Sequence, residues 1–200
     1  MITLTGKKVS EGIVIGKLVF YKRDERENRR IYVKDVEKEV QRFQKARQKA
    51  MAELKELYVT SIREVGEANA AIFEMQQKIL EEEEFVDRVV NIVVEEKLNA
   101  EYAVQTTAEE ILKGVEGEGK EYLQGHGADV KDVALRLLQI LSRNWKDRLL
   151  TDEPFVLATS ELYPSEAVQL DTSKVLGFVT RYGTITSHTA VIARTKNIPS

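Results

Sequence analysis

Val175-Leu176-Gly177-Phe178-Val179-Thr180-Arg181-Tyr182-Gly183-Thr184-Ile185-Thr186-Ser187-His188-Thr189-Ala190-Val191-Ile192-Ala193-Arg194 decides how this chain folds. Its first six residues, rich in β-branched and apolar side chains, read as a buried strand. Gly183 then marks a loop, five residues before His188. Thr186 or Ser187 can cap the apolar helix that follows with a hydroxyl oxygen, which puts His188 at the helix mouth. Upstream, Pro154-Phe155-Val156-Leu157-Ala158 reads as another strand. Leu162-Tyr163-Pro164-Ser165 reads as a turn, with Ser165 capping a short helix over 166–170. Strand, helix, strand, helix at this spacing predicts an α/β layer.

The opening of the chain carries strand formers as well. Val9, Ile13, Val14, Ile15, Leu18, Val19 and Phe20, punctuated by Gly12 and Gly16, predict β-structure over 1–21. Residues 22–30 are almost all charged or polar and read as a solvated connection.

From Lys34 the period changes. Val36, Val40, Phe43, Ala46, Ala50, Leu54 and Leu57 recur at steps of three and four, one face of a long amphipathic helix. A second helical pattern runs over 67–94, and the run Glu81-Glu82-Glu83-Glu84 crosses it. Like charges crowded in one turn repel, so a bend or break is expected there. Asn99 is a candidate cap for a third helix over 100–113, ended by Gly114, Gly117 and Gly119. A fourth helix carries Val130, Val133, Leu137, Leu138 and Leu141, and its joint to the next strand spans 146–153. Four amphipathic helices with short joints make a bundle. If the first strands join the later sheet, that bundle is an insertion.

All three prolines follow residue 150, which fits long helices before that point and turn chemistry after it. There is no cysteine, which excludes disulfides and thiolate metal sites. With 33 acidic and 30 basic residues the net charge is −3, which gives no general attraction to nucleic acid or to membrane surfaces. No apolar run approaches the roughly 20 residues a bilayer requires, and the first eight residues lack a signal-peptide core. A cytoplasmic location is the natural expectation.

A histidine at a helix start is often only a cap or a surface residue. Its other use is chemical. The first N–H groups and the positive dipole end of a helix favour an anion, and histidine offers a neutral, nucleophilic ring nitrogen near neutral pH. A phosphoryl group could be received there. Thr186 and Ser187 can supply hydroxyls, cap the helix, or do both. Arg194, nearly two turns on, fits a surface or helix-dipole role at least as well as a site role.

The stretch from Gly183 to Arg194 resembles the phosphohistidine signature of phosphoenolpyruvate-utilising enzymes, roughly Gly-Gly-x-Thr-Ser-His-(Thr/Ala)-(Ala/Ser)-Ile-x-Ala-Arg. Thr184 replaces the second glycine, and Ile185 stands where Arg or Met is frequent. The likeness extends along the chain to the N-terminal half of the Enzyme I family, the phosphoenolpyruvate–protein phosphotransferases of the bacterial sugar phosphotransferase system. Ser10-Glu11-Gly12-Ile13-Val14-Ile15-Gly16, Glu37-Lys38-Glu39-Val40 with Arg42 and Phe43, Ala71-Ile72-Phe73-Glu74, Ala128-Asp129-Val130-Lys131-Asp132-Val133 with Arg136, Pro164-Ser165-Glu166 and Val175-Leu176-Gly177-Phe178 carry it in order.

The resemblance implies an α/β phosphohistidine domain, residues 1–22 plus 147–200, with an inserted four-helix-bundle domain over 33–145. It implies that His188 takes phosphate from phosphoenolpyruvate and passes it to a histidine of the carrier HPr. Gly183, Thr186, Ser187 and Thr189 would form the phosphoryl pocket. On the bundle, Glu74, Ile79, Leu80, Glu82, Glu83, Glu84, Phe85 and His126 would meet HPr, the apolar side chains as an anchored centre and the acids as a charged rim. A plain solvated helix face is the other reading of the acidic run. Phosphoenolpyruvate and Mg2+ belong to a C-terminal barrel in this family. The family's phosphohistidine-domain sheet normally continues past this point, so the α/β domain is expected to be truncated at its C-terminal end; with the barrel absent, no cofactor or metal is expected in this fragment and activity is expected to be limited to exchange with HPr.

Asn69 stands where a Lys often faces the active histidine, and Ala167 where a Thr hydroxyl can meet the imidazole. Those departures, with Thr184 and Ile185, leave open a divergent paralogue or a protein-binding module with weak catalysis. A swivelling domain of a pyruvate-phosphorylating synthase or dikinase shares the histidine motif but not the helical block over 34–143.

Overall fold

The structure, a computed structural model, describes residue 3 and residues 5–22, 29–115, 126–142 and 153–200. The chain divides into two compact units. One comprises residues 1–23, 60–70 and 148–200, the other 24–59 and 71–147. Residues 60–70 thus group with the sheet, although the expected helical domain spanned 33–145 without interruption.

The sheet unit holds three parallel strands in the order β1-β2-β3: β1 is Lys17–Tyr21, β2 Phe155–Thr159 and β3 Val175–Thr180. Val19 pairs with Leu157, and Leu157 with Phe178. Between β2 and β3 lies α6, Pro164–Val168, and after β3 comes α7, His188–Thr195, which packs against α6. Phe155, Leu157, Ile192 and Ala193 form the unit's buried core; each fully buried side chain of the Leu or Phe class contributes about 1.5–3 kcal/mol.

Among the described residues, the β-structure expected over 1–21 shrinks to β1. Gly12 adopts φ +144, where L side chains are strained, and a Cβ there would lie 2.4 Å from Pro199. Ile13 and Ile15 are 95% and 92% exposed, so they have no core to alternate into. Val9 and Ser10 instead donate their N–H groups to Ser200 O. The expected Ser165 cap is also corrected. Pro164, whose fixed φ suits the first helical position, starts α6 earlier. Its entry is closed by the Glu166 carboxylate accepting Tyr163 N–H at 2.9 Å.

The helical unit is built from α1 (Val36–Val65), α2 (Glu67–Glu81), α3 (Glu83–Glu95), α4 (Ala100–Val115) and α5 (Gly127–Ser142), the last turns of α1 and the first turn of α2 grouping with the sheet unit. Asp35 caps α1, its carboxylate accepting Lys38 N–H at 3.0 Å. The second helical pattern breaks at Glu82, inside the acidic run, and becomes α2 and α3. Phe43, Leu54, Phe73, Leu80, Phe85 and Leu137 fill the core. Polar cross-links fix the register: Gln76 Nε2 donates to Asp132 at 3.0 Å, and Arg136 to Glu53 at 2.8 Å.

Asn99 does not cap α4. Its side-chain oxygen accepts Ile31 N–H, while the first N–H of α4, that of Ala100, goes to the Glu39 carboxylate of α1 at 2.7 Å. Helix α4 also runs through Gly114 to Val115, because one glycine inside a helix weakens it by only about 1 kcal/mol. Gly117 and Gly119 lie outside the described residues, as do most of the polar connection after β1 (23–28) and of the joint before β2 (143–152).

Candidate phosphohistidine site

The site sits at the N-terminus of α7. Gly183 has φ +138, a conformation that only glycine adopts without strain. A Cβ there would have room, its nearest neighbour being Thr180 Oγ1 at 3.7 Å. The glycine is therefore required by the turn rather than by crowding. The chain then tightens as Ser187 N–H donates to Thr184 O at 3.2 Å. Ser187 is the N-cap, in extended conformation, and its hydroxyl oxygen accepts Ala190 N–H at 3.2 Å.

This cap sets His188 at the first helical position, with an exposed side chain. Neither ring nitrogen meets a hydrogen-bond partner among the described residues, and the backbone N–H groups of His188 and Thr189 have no acceptor among them either. Helix geometry leaves such first-turn amides orphaned. A solvent-facing imidazole thus stands beside unspent donors and a positive dipole end.

Around it the four expected pocket residues separate into two groups. Gly183, Thr186 and Ser187 lie on the loop, where Thr186 is exposed and its hydroxyl lies 3.3 Å from that of Thr184. Thr189 turns away. Its hydroxyl is buried and donates to Leu162 O at 2.7 Å, which pins α7 to the segment after β2. Thr189 can therefore face a phosphoryl group only through its backbone N–H. Ala167 is buried within α6 and presents only a methyl group, while Asn69 spends its amide on Val65 O at 2.7 Å.

One contact escaped the sequence. Arg194 bends back along α7 and donates to Ile185 O at 2.9 Å and to Val9 O at 3.4 Å. Its place in the sequence fits a surface or dipole role, and nothing in the spacing marks the loop carbonyl as its partner.

On the helical unit the expected carrier-binding residues also divide. Glu74, Glu82 and Glu83 are exposed and Glu84 is half-exposed, paired with Arg88 at 2.8 Å. His126 lies just before α5, its Nδ1 3.1 Å from Asp129. Ile79, Leu80 and Phe85 are buried, at most 2% exposed. Ile79 and Leu80 close α2 and Phe85 opens α3, and all three side chains are spent in the buried core, so they cannot form an exposed apolar centre. Among the described residues no group of three or more His, Asp and Glu is placed to hold a metal ion.

The sheet unit ends in a capped helix that starts at His188, and its sequence is interrupted by the helices of the second unit. The chain belongs to the family of phosphoenolpyruvate-utilising enzymes: the family's N-terminal domain matches residues 5–125 and its mobile domain residues 151–200. Within that family, phosphoenolpyruvate-protein phosphotransferases are similar along the whole chain. That of Borreliella burgdorferi is 34% identical over 203 residues, which cover 99% of this chain and 35% of the relative. That of Mycoplasma capricolum is 32% identical over 198 residues, covering 98% and 35%. The chain thus spans about a third of the length of these curated relatives. A solution structure of an Enzyme I protein superimposes with a TM-score of 0.73 at 30% identity, covering 98% of this chain and 81% of that one. The N-terminal domain of a nitrogen Enzyme 1, at 22% identity and TM-score 0.71 over 96% and 79% of the two chains, shares the fold.

Proposed function

We propose that this chain carries a phosphoryl group on His188 and exchanges it with a histidine of the carrier HPr. The observation that carries this reading is the exposed His188 ring at the first position of α7, without a hydrogen-bond partner among the described residues, next to first-turn amides that have no acceptor among them and after the Gly183 loop. When phosphorylated HPr is the donor in this exchange, a ring nitrogen of His188 attacks the carrier's phosphoryl phosphorus. The new P–N bond forms as the carrier's P–N bond breaks, the carrier imidazole leaves, and nothing is oxidised or reduced. Ser187, Thr186 and the amides of His188 and Thr189 hold the phosphoryl oxygens, which is where phosphoryl transfer gains most, through positioning and charge stabilisation.

HPr docks on the helical unit through Glu74, Glu82, Glu83, Glu84 and His126. Opposite charge there speeds encounter and fixes orientation more than it adds affinity. By analogy with the relatives named phosphoenolpyruvate-protein phosphotransferase, phosphoenolpyruvate is the first donor, with Mg2+ as its companion. The described residues provide no carboxylate cluster for that ion, and no step here runs through it. The setting is cytoplasmic.

A second reading, a docking module without transfer, is favoured by Ala167 and Asn69, neither of which supports the His188 ring. Mixing the protein with HPr phosphorylated on its histidine separates the two. Label that appears on the protein supports the carrier reading; binding of HPr without label supports the module and defeats the carrier.

A further inference from the structure

We infer that Arg194 is a positioning residue for the His188 loop. The inference rests on the carrier reading above and concerns what holds that carrier's pocket in shape.

The loop over 181–186 is exposed at every residue, so no buried side chain anchors it. Even Ile185, its one aliphatic side chain, is 52% exposed. Its entry is tied to the end of β2, where Arg181 N–H donates to Thr159 O at 3.1 Å and Tyr182 N–H to Ser160 O at 2.8 Å. Its exit is the Ser187 cap. Between those points the loop's contacts are local, from Thr184 to Thr186 and Ser187. Arg194 Nη1 to Ile185 O is, among the described residues, the hydrogen bond that ties the middle of the loop to a distant residue.

Helical side chains lean toward the helix N-terminus, so a long residue in the last turn of α7 reaches back toward the site. Only arginine combines that length with a planar, always-charged set of donors. The same Nη1 also meets Val9 O, which joins the N-terminal segment to the arrangement. No carboxylate pairs with Arg194 among the described residues, so its donors are spent on backbone carbonyls rather than on a salt bridge. With Ile185 O held, Thr186, Ser187 and the first amides of α7 keep one arrangement before the phosphoryl group arrives. Without it, that order must be created during transfer, and misplacement on the ångström scale costs transfer on the order of 100-fold.

The test is single-turnover transfer from HPr phosphorylated on its histidine to the whole chain, comparing wild type, Arg194→Met and Arg194→Lys. Arg194→Met keeps the aliphatic stem and loses every donor. It is expected to transfer about 10- to 100-fold more slowly at saturating carrier, with half-saturation unchanged. Arg194→Lys, with a shorter reach and no fork, should fall between, and its thermal midpoint shows whether the fold survives. A rate at saturation equal to wild type in Arg194→Met overturns the proposal. So does a loss that appears only in half-saturation. If wild type itself takes no label, the carrier reading fails, and backbone amide spectra still test the clamp. Resonances of Thr184 to His188 must move in Arg194→Met; if they stay in place, Arg194 does not hold the loop.

Discussion

Thr189 and Leu162 are joined by a buried hydrogen bond, Oγ1 to carbonyl oxygen, at 2.7 Å. The residue directly after the candidate nucleophile therefore faces inward, and the nucleophile faces out. One helical step separates anchoring from chemistry. Thr189→Val keeps the shape of the side chain but leaves the Leu162 carbonyl without this donor, a loss of about 1–3 kcal/mol. Denaturant unfolding should show that loss, while labelling of His188 persists under native conditions. Loss of labelling at unchanged stability would place the Thr189 hydroxyl at the phosphoryl group instead.

Ser187 caps α7 through Ala190 N–H at 3.2 Å. Ser187→Ala should cost about 1 kcal/mol, the ordinary value of a lost cap. Ser187→Asp preserves a capping oxygen and suits the helix dipole, so stability should hold, yet its charge repels an incoming phosphoryl group. Transfer to His188 should drop in Ser187→Asp without a change in unfolding midpoint. Wild-type transfer in that variant would remove Ser187 from the pocket.

Phe85 and Glu83 sit on the same helix and predict opposite phenotypes. Phe85 is buried in the bundle core, so Phe85→Ala should destabilise the helical unit by about 3–5 kcal/mol. Glu83 is exposed, and Glu83→Lys should leave stability within about 0.5 kcal/mol while slowing association with HPr, most clearly at low salt. Association rates measured at two ionic strengths check this. An unchanged rate at both would return the acidic run to a solvated face.

Asp171 carries the one pH expectation that bears on the sheet. Its Oδ1 accepts Ser173 N–H at 2.9 Å and Ser173 O–H at 2.6 Å, in the turn that leads into β3. These side-chain and backbone hydrogen bonds from Ser173 hold its carboxyl below the usual range. A carboxylate depressed on folding stabilises at pH above its unfolded value and loses that contribution as pH falls through the folded one. Wild type should therefore lose stability relative to Asp171→Asn only below about pH 4. Parallel curves for the two proteins between pH 7 and pH 2 would contradict this.

Much of the fold was legible because long segments repeat their signal. The helical faces of α1 and α5, the strands β2 and β3 and the break in the acidic run follow from period, β-branching and like-charge repulsion acting within a few residues. The misreadings share a different cause. Asn99 is a fair cap by local chemistry, but Glu39, far upstream, accepts the Ala100 N–H. Residues 9–16 are rich in strand formers, yet Gly12 and the pairing of Ser10 with Ser200 keep them out of the sheet. Ile79, Leu80 and Phe85 fit an exposed centre in the sequence because apolar residues flanking an acidic run carry no mark of which of them the core takes. The site was legible at His188, Ser187 and Gly183, where a cap and a turn are local events. It was not legible at Thr189 and Arg194, whose partners lie 27 and 9 residues away and are backbone carbonyls, which carry no mark in the sequence.

The central claim is that the His188 imidazole holds a phosphoryl group in transit. The direct measurement is incubation of the whole chain with HPr carrying radioactive phosphate on its histidine, followed by acid and base treatment of the isolated protein and a parallel run with His188→Ala. The account predicts label that is labile in acid, stable in base and missing from His188→Ala. A wild-type protein that binds phosphorylated HPr yet stays unlabelled, or a label that survives the loss of His188, would contradict it.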